Sequence, residues 1–345
     1  MRAVTILESG QAGLLELDPP APGVDEVLVR ARTVALGSGE VALYEGKRPD
    51  GFGHYPVIPG NAWSGIVESP GTLVYDISPG QLVVAESLVY CGRCRNCRAG
   101  LTNLCEAAYA ELGFTRPGGL AEYVAVPSRL LHVLPDSAIL DEVALLGPAA
   151  SVAQAFLRAR PQPGDVIVVM GSDALSLLAV QLARLYSPSA LVFMAFRQER
   201  LDLARDLGAT LTIKPGRQDL GEVVTDLTHG LGADIVFEGS GHPQAVAEAL
   251  QLVRRGGSVV LEGTAGTGSF LNVEADLFSL HHLSVYGIFG ASTAAWTYAL
   301  QLYQAGQLRL APLISHRFPL DDYQDALDLL LYQQPQALQV LVTHS

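Results

Sequence analysis

The chain has 345 residues, enough for two domains with separate cores, and 49% of them are hydrophobic while 17% are charged. This balance excludes an intrinsically disordered protein. The formal net charge of −13 argues against a nucleic acid or an anionic membrane as partner. The N-terminal sequence MRAVTILESG does not resemble a signal peptide, and no apolar run is long enough to span a bilayer, so we expect a cytoplasmic protein.

Residues 1–150 have the pattern of a β-rich domain. Short apolar segments such as VLVRARTVAL and AEYVAVP alternate with turns rich in proline and glycine. Near Ala144 the pattern changes, because ALLGPAASVAQAFLRAR carries apolar residues at helical spacing. The first domain is therefore predicted to end close to residue 150.

Strands and helices alternate from about Gly164 to the segment LSVYGIFG. We predict, among others, a strand at DVIVVMG, a helix over PQAVAEALQLVRRGG and a strand at SVVLEG. Repeated βα units with nearly continuous apolar strands are typical of a parallel sheet covered by helices on both faces. The tail after residue 290 returns to a mixed pattern. The predicted class is thus α/β, with a doubly wound parallel sheet beside a β-rich domain.

Four cysteines lie in the single segment CGRCRNCRAGLTNLC, and the chain has no others. Their spacing, C-x2-C-x2-C-x7-C, allows four thiolates to surround one tetrahedral Zn²⁺ in a closed, structural site. The alternative is two disulfides or chance clustering. The absence of a secretory pattern favours the metal. The predicted ligands are Cys91, Cys94, Cys97 and Cys105.

Taken together, these features resemble a medium-chain dehydrogenase/reductase of the zinc alcohol dehydrogenase type, over nearly the whole chain. The resemblance rests on the cysteine lobe, on YPVIPGNAWSGIVE and GGLAEYVAVP, on the βα array and on LAPLISHRFPLDDYQDAL. It implies a GroES-like catalytic domain over 1–150 with a structural-zinc lobe at about 88–110, a Rossmann-like coenzyme domain over 151–290, and a C-terminal return over 291–345. LSVYGIFG resembles the strand that pairs at the family's subunit interface, which implies a homodimer or homotetramer.

The residues that hold the catalytic zinc in this family are replaced here. The family's G-x-C-G-[ST]-D run matches Ala35–Glu40, which places Gly37 at the cysteine ligand and Gly39 at the hydroxyl that relays the substrate proton. The G-H-E motif reads GNA, with Asn61 at the histidine, and the remaining ligand falls at Gly147. Glycine and alanine offer a metal no donor, and an amide is a poor zinc ligand. We therefore predict that the chain has no catalytic zinc.

The coenzyme fingerprint is altered as well. The family has G-x-G-x-x-G after the first strand, whereas this chain has GSDALS, with Asp173 at the second glycine and Ser176 at the third. Asp173 would place negative charge beside the pyrophosphate, although it could instead cap the following helix. The acid expected after the second strand is absent, and Arg197 just beyond could bind the 2′-phosphate of NADP. We predict NADP over NAD, with no dinucleotide as the alternative. The predicted contacts are Gly171, Ser172, Asp173, Ser176 and Arg197.

Zinc-free members of the family reduce activated C=C bonds with NADPH, and some metal-less members reduce iminium groups. The resemblance therefore implies a zinc-independent oxidoreductase that reduces a C=C, C=O or C=N bond of a small molecule. Ser38 or Asn61 could hydrogen-bond a carbonyl, and Glu40 or Tyr44 could move a proton. The alternatives are a non-redox isomerase, lyase or cyclase on the same scaffold, and a non-catalytic partner subunit.

Overall fold

The computed structural model describes residues 1–266, 268–332 and 336–344, and within them the chain forms two compact units. The first unit comprises Met1–Pro148, Ala291–Trp296 and Leu310–Ser345, and the second comprises Ala149–Gly290 and Thr297–Arg309. The predicted return of 291–345 to the first domain therefore needs correction for residues 297–309. They join the second unit because Arg309 and Gln181 exchange hydrogen bonds of 2.7 and 3.2 Å.

The first unit is built mainly on antiparallel strands. Alternate residues of its longest strand, such as Val27, Val29 and Ala31, are fully buried, as expected of a strand with one face on the core. Its strands are β1 (Arg2–Glu8), β2 (Gln11–Glu16), β3 (Glu26–Leu36), β4 (Ala62–Pro70), β5 (Leu82–Ala85), β6 (Tyr123–Pro127), β7 (Leu131–Val133), β14 (Ile314–Pro319) and β15 (Gln339–Thr343).

The main sheet of this unit has the order β14-β15-β3-β4-β5-β7, with β6 paired to β3. Strands β1 and β2 form a separate hairpin. The loop before β4 packs closely against the backbone at Gly113, where a Cβ would lie 2.7 Å from the Asn61 nitrogen. Gly60 in this loop has φ +96°, a conformation that favours glycine. The helices of the unit are α1 (Ser38–Tyr44), α2 (Arg95–Arg98), α3 (Leu140–Val143) and α11 (Tyr323–Tyr332).

The second unit is a parallel sheet with helices between its strands. Its strands are β8 (Val166–Met170), β9 (Ala190–Met194), β10 (Leu211–Ile213), β11 (Ala233–Glu238), β12 (Val253–Leu261) and β13 (Ser284–Gly287). The strand order is β10-β9-β8-β11-β12-β13, and every pairing is parallel. The order reverses between β8 and β11, and ligands of such sheets bind at this switch point, beyond the carboxyl ends of the strands. The predicted α/β class is confirmed.

Helices of the second unit follow the predicted alternation with two differences, of which the first is the unpredicted short helix Asp276–Leu280. The predicted helix over PQAVAEALQLVRRGG ends early, at Leu252, because Val253 is already extended (φ −76°, ψ 139°) and pairs with Ala233 of β11. Among the described residues no helix combines the length and apolar character needed to cross a bilayer. The helices are α4 (Leu146–Ala159), α5 (Ala174–Arg184), α6 (Gln198–Leu207), α7 (Leu220–Leu227), α8 (Pro243–Leu252), α9 (Asp276–Leu280) and α10 (Thr293–Gln304), with α4 and α10 divided between the units.

Candidate functional site

The four cysteines come together around the short helix α2. Their sulfurs all lie within 4.8 Å of one another, and in the described part of the chain they form the only cluster of this kind. Backbone N–H groups, that of Arg93 first, lower the pKa of Cys91 to about 6, whereas burial raises the pKa of Cys97. Sulfurs this close cannot all carry charge without a cation among them, so the geometry fits a tetrahedral Zn²⁺.

Gly147, one of the positions that hold catalytic zinc in the family, faces small and apolar groups here. A Cβ on Gly147 would lie 3.4 Å from Ala62 Cβ and 3.7 Å from Cη2 of Trp296. Trp296 is buried and stacks on His132, with ring centroids 5.4 Å apart. The indole therefore lies beside Gly147, one of the replaced ligand positions, and offers no metal donor there.

Glu40 and Asn61 are brought together, as the sequence suggested. The buried Glu40 carboxylate accepts hydrogen bonds from the Gly37 N–H at 2.9 Å and from the Asn61 N–H at 3.2 Å. Burial raises the pKa of Glu40, and the backbone N–H groups oppose the rise. Glu40 thus closes the first turn of α1 and fastens it to the segment before β4.

Ser38 and Tyr44 lie at the two ends of α1 and do not share this contact. Ser38 is exposed at the start of the helix. The Tyr44 hydroxyl donates to the Gly10 carbonyl at 2.8 Å, and Gly10 N–H donates back to the Tyr44 carbonyl. Tyr44 therefore anchors the turn between β1 and β2, and its proton-transfer role stays a prediction.

Gly39 lies beneath two side chains that the sequence did not single out. A Cβ on Gly39 would lie 2.9 Å from Cζ of Phe114 and 3.7 Å from Nη1 of Arg48. The Arg48 guanidinium stacks on the Phe114 ring, with Cζ 3.5 Å from the ring centroid. The space that a relay hydroxyl takes in the family is therefore filled by an aromatic ring and a cation.

Glu111 is the centre of a polar cluster beside these residues. It lies next to Tyr109, whose hydroxyl donates to it, and it accepts a hydrogen bond from Ser87 Oγ at 3.1 Å and one from Arg48 Nη2 at 3.3 Å. Burial raises its pKa, and hydrogen bonds, including one with the Asn61 side chain, oppose the rise. No motif signals this cluster, because Arg48, Ser87 and Glu111 are distant from one another in the sequence.

The loop after β8 shows how the altered fingerprint is accommodated. Asp173 caps α5: its Oδ1 accepts hydrogen bonds from the Ser176 N–H at 2.9 Å and from Ser176 Oγ at 2.7 Å. A Cβ on Gly171 would lie 2.1 Å from Ser176 Oγ, so the serine hydroxyl fills the space beside that glycine. The loop keeps its turn with Asp173 exposed at the carboxyl edge of the sheet and Ser172 partly exposed.

Arg197 and Glu262 lie at the carboxyl ends of two other strands of this sheet. Arg197 follows β9, and its Nε donates to Glu199 at 3.3 Å. Glu262 follows β12 and accepts a hydrogen bond from Ser151 Oγ. Burial raises the pKa of Glu262 to about 7, the hydrogen bond opposes this rise, and the charge of Asp173 adds to it. Sequence reasoning did not single out Glu262, although it lies in the predicted strand segment SVVLEG.

Two family models match the chain. Residues 23–136 match the alcohol dehydrogenase GroES-like domain, and residues 174–305 match the zinc-binding dehydrogenase domain. An L-threonine 3-dehydrogenase of Anaeromyxobacter sp. (strain Fw109-5) is 33% identical over 324 residues, which cover 91% of each chain. The chain belongs to the zinc-containing alcohol dehydrogenase family of medium-chain dehydrogenases/reductases.

Other family members agree with this placement. An L-threonine 3-dehydrogenase of Deinococcus radiodurans is 30% identical over 97% of this chain and 96% of its own. A zinc-binding dehydrogenase from Sinorhizobium meliloti 1021, solved bound to NADP, superposes with a TM-score of 0.91 at 28% identity and covers 99% of this chain and 98% of its own. The predicted GroES-like and Rossmann-like architecture is confirmed.

Proposed function

We propose that this family member is a zinc-independent, NADPH-linked oxidoreductase that reduces an activated C=C, C=O or C=N bond of a small molecule. One observation carries the proposal: the three ligand positions Gly37, Asn61 and Gly147, with Ala62 next to Asn61, offer no good metal donor. The neighbouring Trp296 supplies none in their place. We therefore derive no step through a metal at this site.

A conjugated or otherwise activated acceptor suits such a site. Without a Lewis acid, the charge that develops on the substrate must be delocalised within it or met by hydrogen-bond donors and cations of the protein. The polar groups around Glu111 and Asn61 are candidates for this role.

NADP is the proposed coenzyme, and when bound its reduced form supplies the hydride. The NADP-bound Sinorhizobium meliloti relative supports this choice. Gly171, Ser172 and the start of α5 would lie against the pyrophosphate, and Arg197 would bind the 2′-phosphate. Asp173 opposes binding, since two unit charges about 4 Å apart repel by roughly 1 kcal/mol in water and about 4 kcal/mol near a protein surface.

We further propose one structural zinc per chain, held by the four cysteines. The charge of Asp173 favours the second candidate function, a non-redox enzyme or a non-catalytic subunit that does not bind dinucleotide. The L-threonine 3-dehydrogenase relatives make L-threonine with NAD or NADP a required comparison substrate.

A titration followed by NADPH fluorescence separates these candidates. We expect micromolar affinity for NADPH and weaker binding of NADH. Asp173→Asn keeps a good helix cap and removes the charge, so it should tighten NADPH binding by about tenfold or more. Asp219 caps α7 in the same way, and Asp219→Asn should leave the affinity unchanged. No binding of either coenzyme at millimolar concentration would exclude the reductase.

A further inference from the structure

An arginine lies beside Gly39, where the family has its relay hydroxyl, and it shares the Glu111 carboxylate with Asn61. Arg48 follows α1, stacks on Phe114 and covers Gly39 with Nη1. Its side chain is 17% exposed, so it is neither sealed in the core nor free in solvent. A cation therefore lies at the position where the family has its relay hydroxyl.

The Arg48 guanidinium is held by hydrogen bonds from Nε and Nη2, whereas Nη1 is not held in this way by any described residue. Arg48 Nε donates to the Phe52 carbonyl at 2.6 Å, and Nη2 donates to the Tyr109 hydroxyl at 3.1 Å and to Glu111 at 3.3 Å. Throughout the described residues no acceptor binds Nη1. Two N–H donors of a permanently charged group thus remain for a ligand.

The partners of Arg48 fix its orientation. Glu111 also accepts a hydrogen bond from Ser87 and is buried, while Tyr109 packs on Phe52 with ring centroids 4.6 Å apart. A guanidinium held in this way pays little entropy when it binds a ligand, and a donor aligned in advance stabilises charge that develops during a reaction.

We propose that Arg48 takes the place of the catalytic zinc, binding and polarising the carbonyl oxygen of the substrate, and that Tyr109 and Glu111 position it. The assignment rests on the proposed function and narrows it to ketones, quinones and enones. When bound, NADPH would supply a hydride to the electrophilic carbon, and the π electrons would move to the oxygen. The Nη1–H groups hold the oxyanion until water supplies the proton. A cationic iminium substrate is disfavoured because Arg48 repels it.

The first test needs no coenzyme. The enolate of cyclohexane-1,3-dione is a stable anion that resembles the product of hydride addition to an enone, and calorimetry measures its binding. We expect wild-type protein to bind it and Arg48→Met to bind it at least about tenfold more weakly. Arg48→Met leaves the Glu111 carboxyl without its cation, so Arg48→Met/Glu111→Gln provides a second variant with no unpaired charge. Arg217→Met, at an exposed position of the second unit, is the matched control.

The second test is kinetic. With NADPH and 2-cyclohexen-1-one or menadione, Arg48→Met should lower kcat/KM by about 100-fold, the usual effect of removing an oxyanion donor. Its NADPH affinity should stay unchanged. Arg48→Lys keeps the positive charge but lacks the planar guanidinium, so its kcat/KM should lie between those of wild-type protein and Arg48→Met.

Three outcomes overturn the assignment of Arg48. The first is that wild-type protein does not bind the enolate at millimolar concentration. The second is that the two folded variants that carry Arg48→Met bind the enolate as tightly as wild-type protein does, and the third is that their kcat/KM equals that of wild-type protein. Enolate binding that depends on Arg48 in a protein that does not bind NADPH would instead overturn the proposed reductase and support Arg48 as an oxyanion site.

Discussion

Gly39 shows most directly how the packing around α1 depends on a residue that departs from the family's G-x-C-G-[ST]-D motif. Its missing side chain is what lets the Phe114 ring and Arg48 lie over the start of α1. The neighbouring Gly37 is different, because a Cβ there would meet nothing closer than Glu40 Oε2 at 4.0 Å. The two glycines of this motif therefore differ in whether a side chain fits at their positions.

We predict that Gly39→Ala lowers the free energy of unfolding by about 1–3 kcal/mol, because the new Cβ forces the buried Phe114 ring to move. Gly37→Ala should lower it by less than about 1 kcal/mol, because the new Cβ meets no close atom and only the N-cap preference for glycine over alanine is lost. Urea denaturation of both variants measures the difference. Equal stabilities would contradict the packing described around Gly39.

His344 gives a pH-dependent stability. Burial lowers its pKa to about 4, from 6.5, while Nε2 donates to the Gly119 carbonyl at 2.9 Å. The unfolded chain therefore takes up a proton more readily than the folded chain does. The contribution of neutral His344 to the free energy of unfolding is complete above pH 6.5 and is lost as the pH falls towards 4.

We expect the wild-type protein to lose about 3 kcal/mol of stability over this interval through His344 alone. His344→Gln keeps a donor for the Gly119 carbonyl and does not titrate. On the same fall in pH this variant should therefore lose about 3 kcal/mol less stability than wild-type protein does. The measurement is the difference between the two proteins in urea denaturation at pH 7 and pH 4.5. Parallel pH profiles would refute this interpretation.

At the scale of elements, the cysteine lobe around α2 depends on its metal. Cys105→Ser removes one thiolate, so we expect zinc content to fall towards zero after dialysis against a chelator and the lobe to become sensitive to proteases. Wild-type protein should retain its zinc, and its four thiols should react with a thiol reagent only after chelation. A wild-type protein with two disulfides and no zinc would exclude the structural site.

Strand β13 lies at one edge of the parallel sheet, with Val285 37% exposed. An open edge with an apolar side chain is a pairing surface, and we propose that two copies associate there. Light scattering should give the mass of a dimer or of a tetramer containing that pair. Val285→Lys should shift the mass towards the monomer, whereas Val24→Lys, at an exposed position of the first unit, should not. A monomeric wild-type protein would contradict the proposal.

At the scale of the whole molecule, the sequence predicted the features that depend on local patterns. The parallel sheet followed from repeated βα units, and the cysteine cluster formed because its members lie within one short segment. The end of α8 was missed, since the pairing of Val253 with β11 overrides the helical pattern of its neighbours.

The candidate site was predicted only in part. Replacement of the zinc ligands can be read from a motif, and so can the helix-capping alternative for Asp173, which the structure adopts. The link between Arg48 and Glu111 joins residues 63 positions apart, and neither belongs to a motif. Only the fold brings them together beside Gly39, so the proposed replacement for zinc could not be predicted from the sequence.

The zinc content of the protein in the state that reduces an enone with NADPH tests the central claim most directly. We predict one zinc per chain, bound by the cysteines. Chelators that leave this zinc bound should not abolish turnover. Two zinc ions per chain, with activity lost in step with removal of the second, would contradict the account.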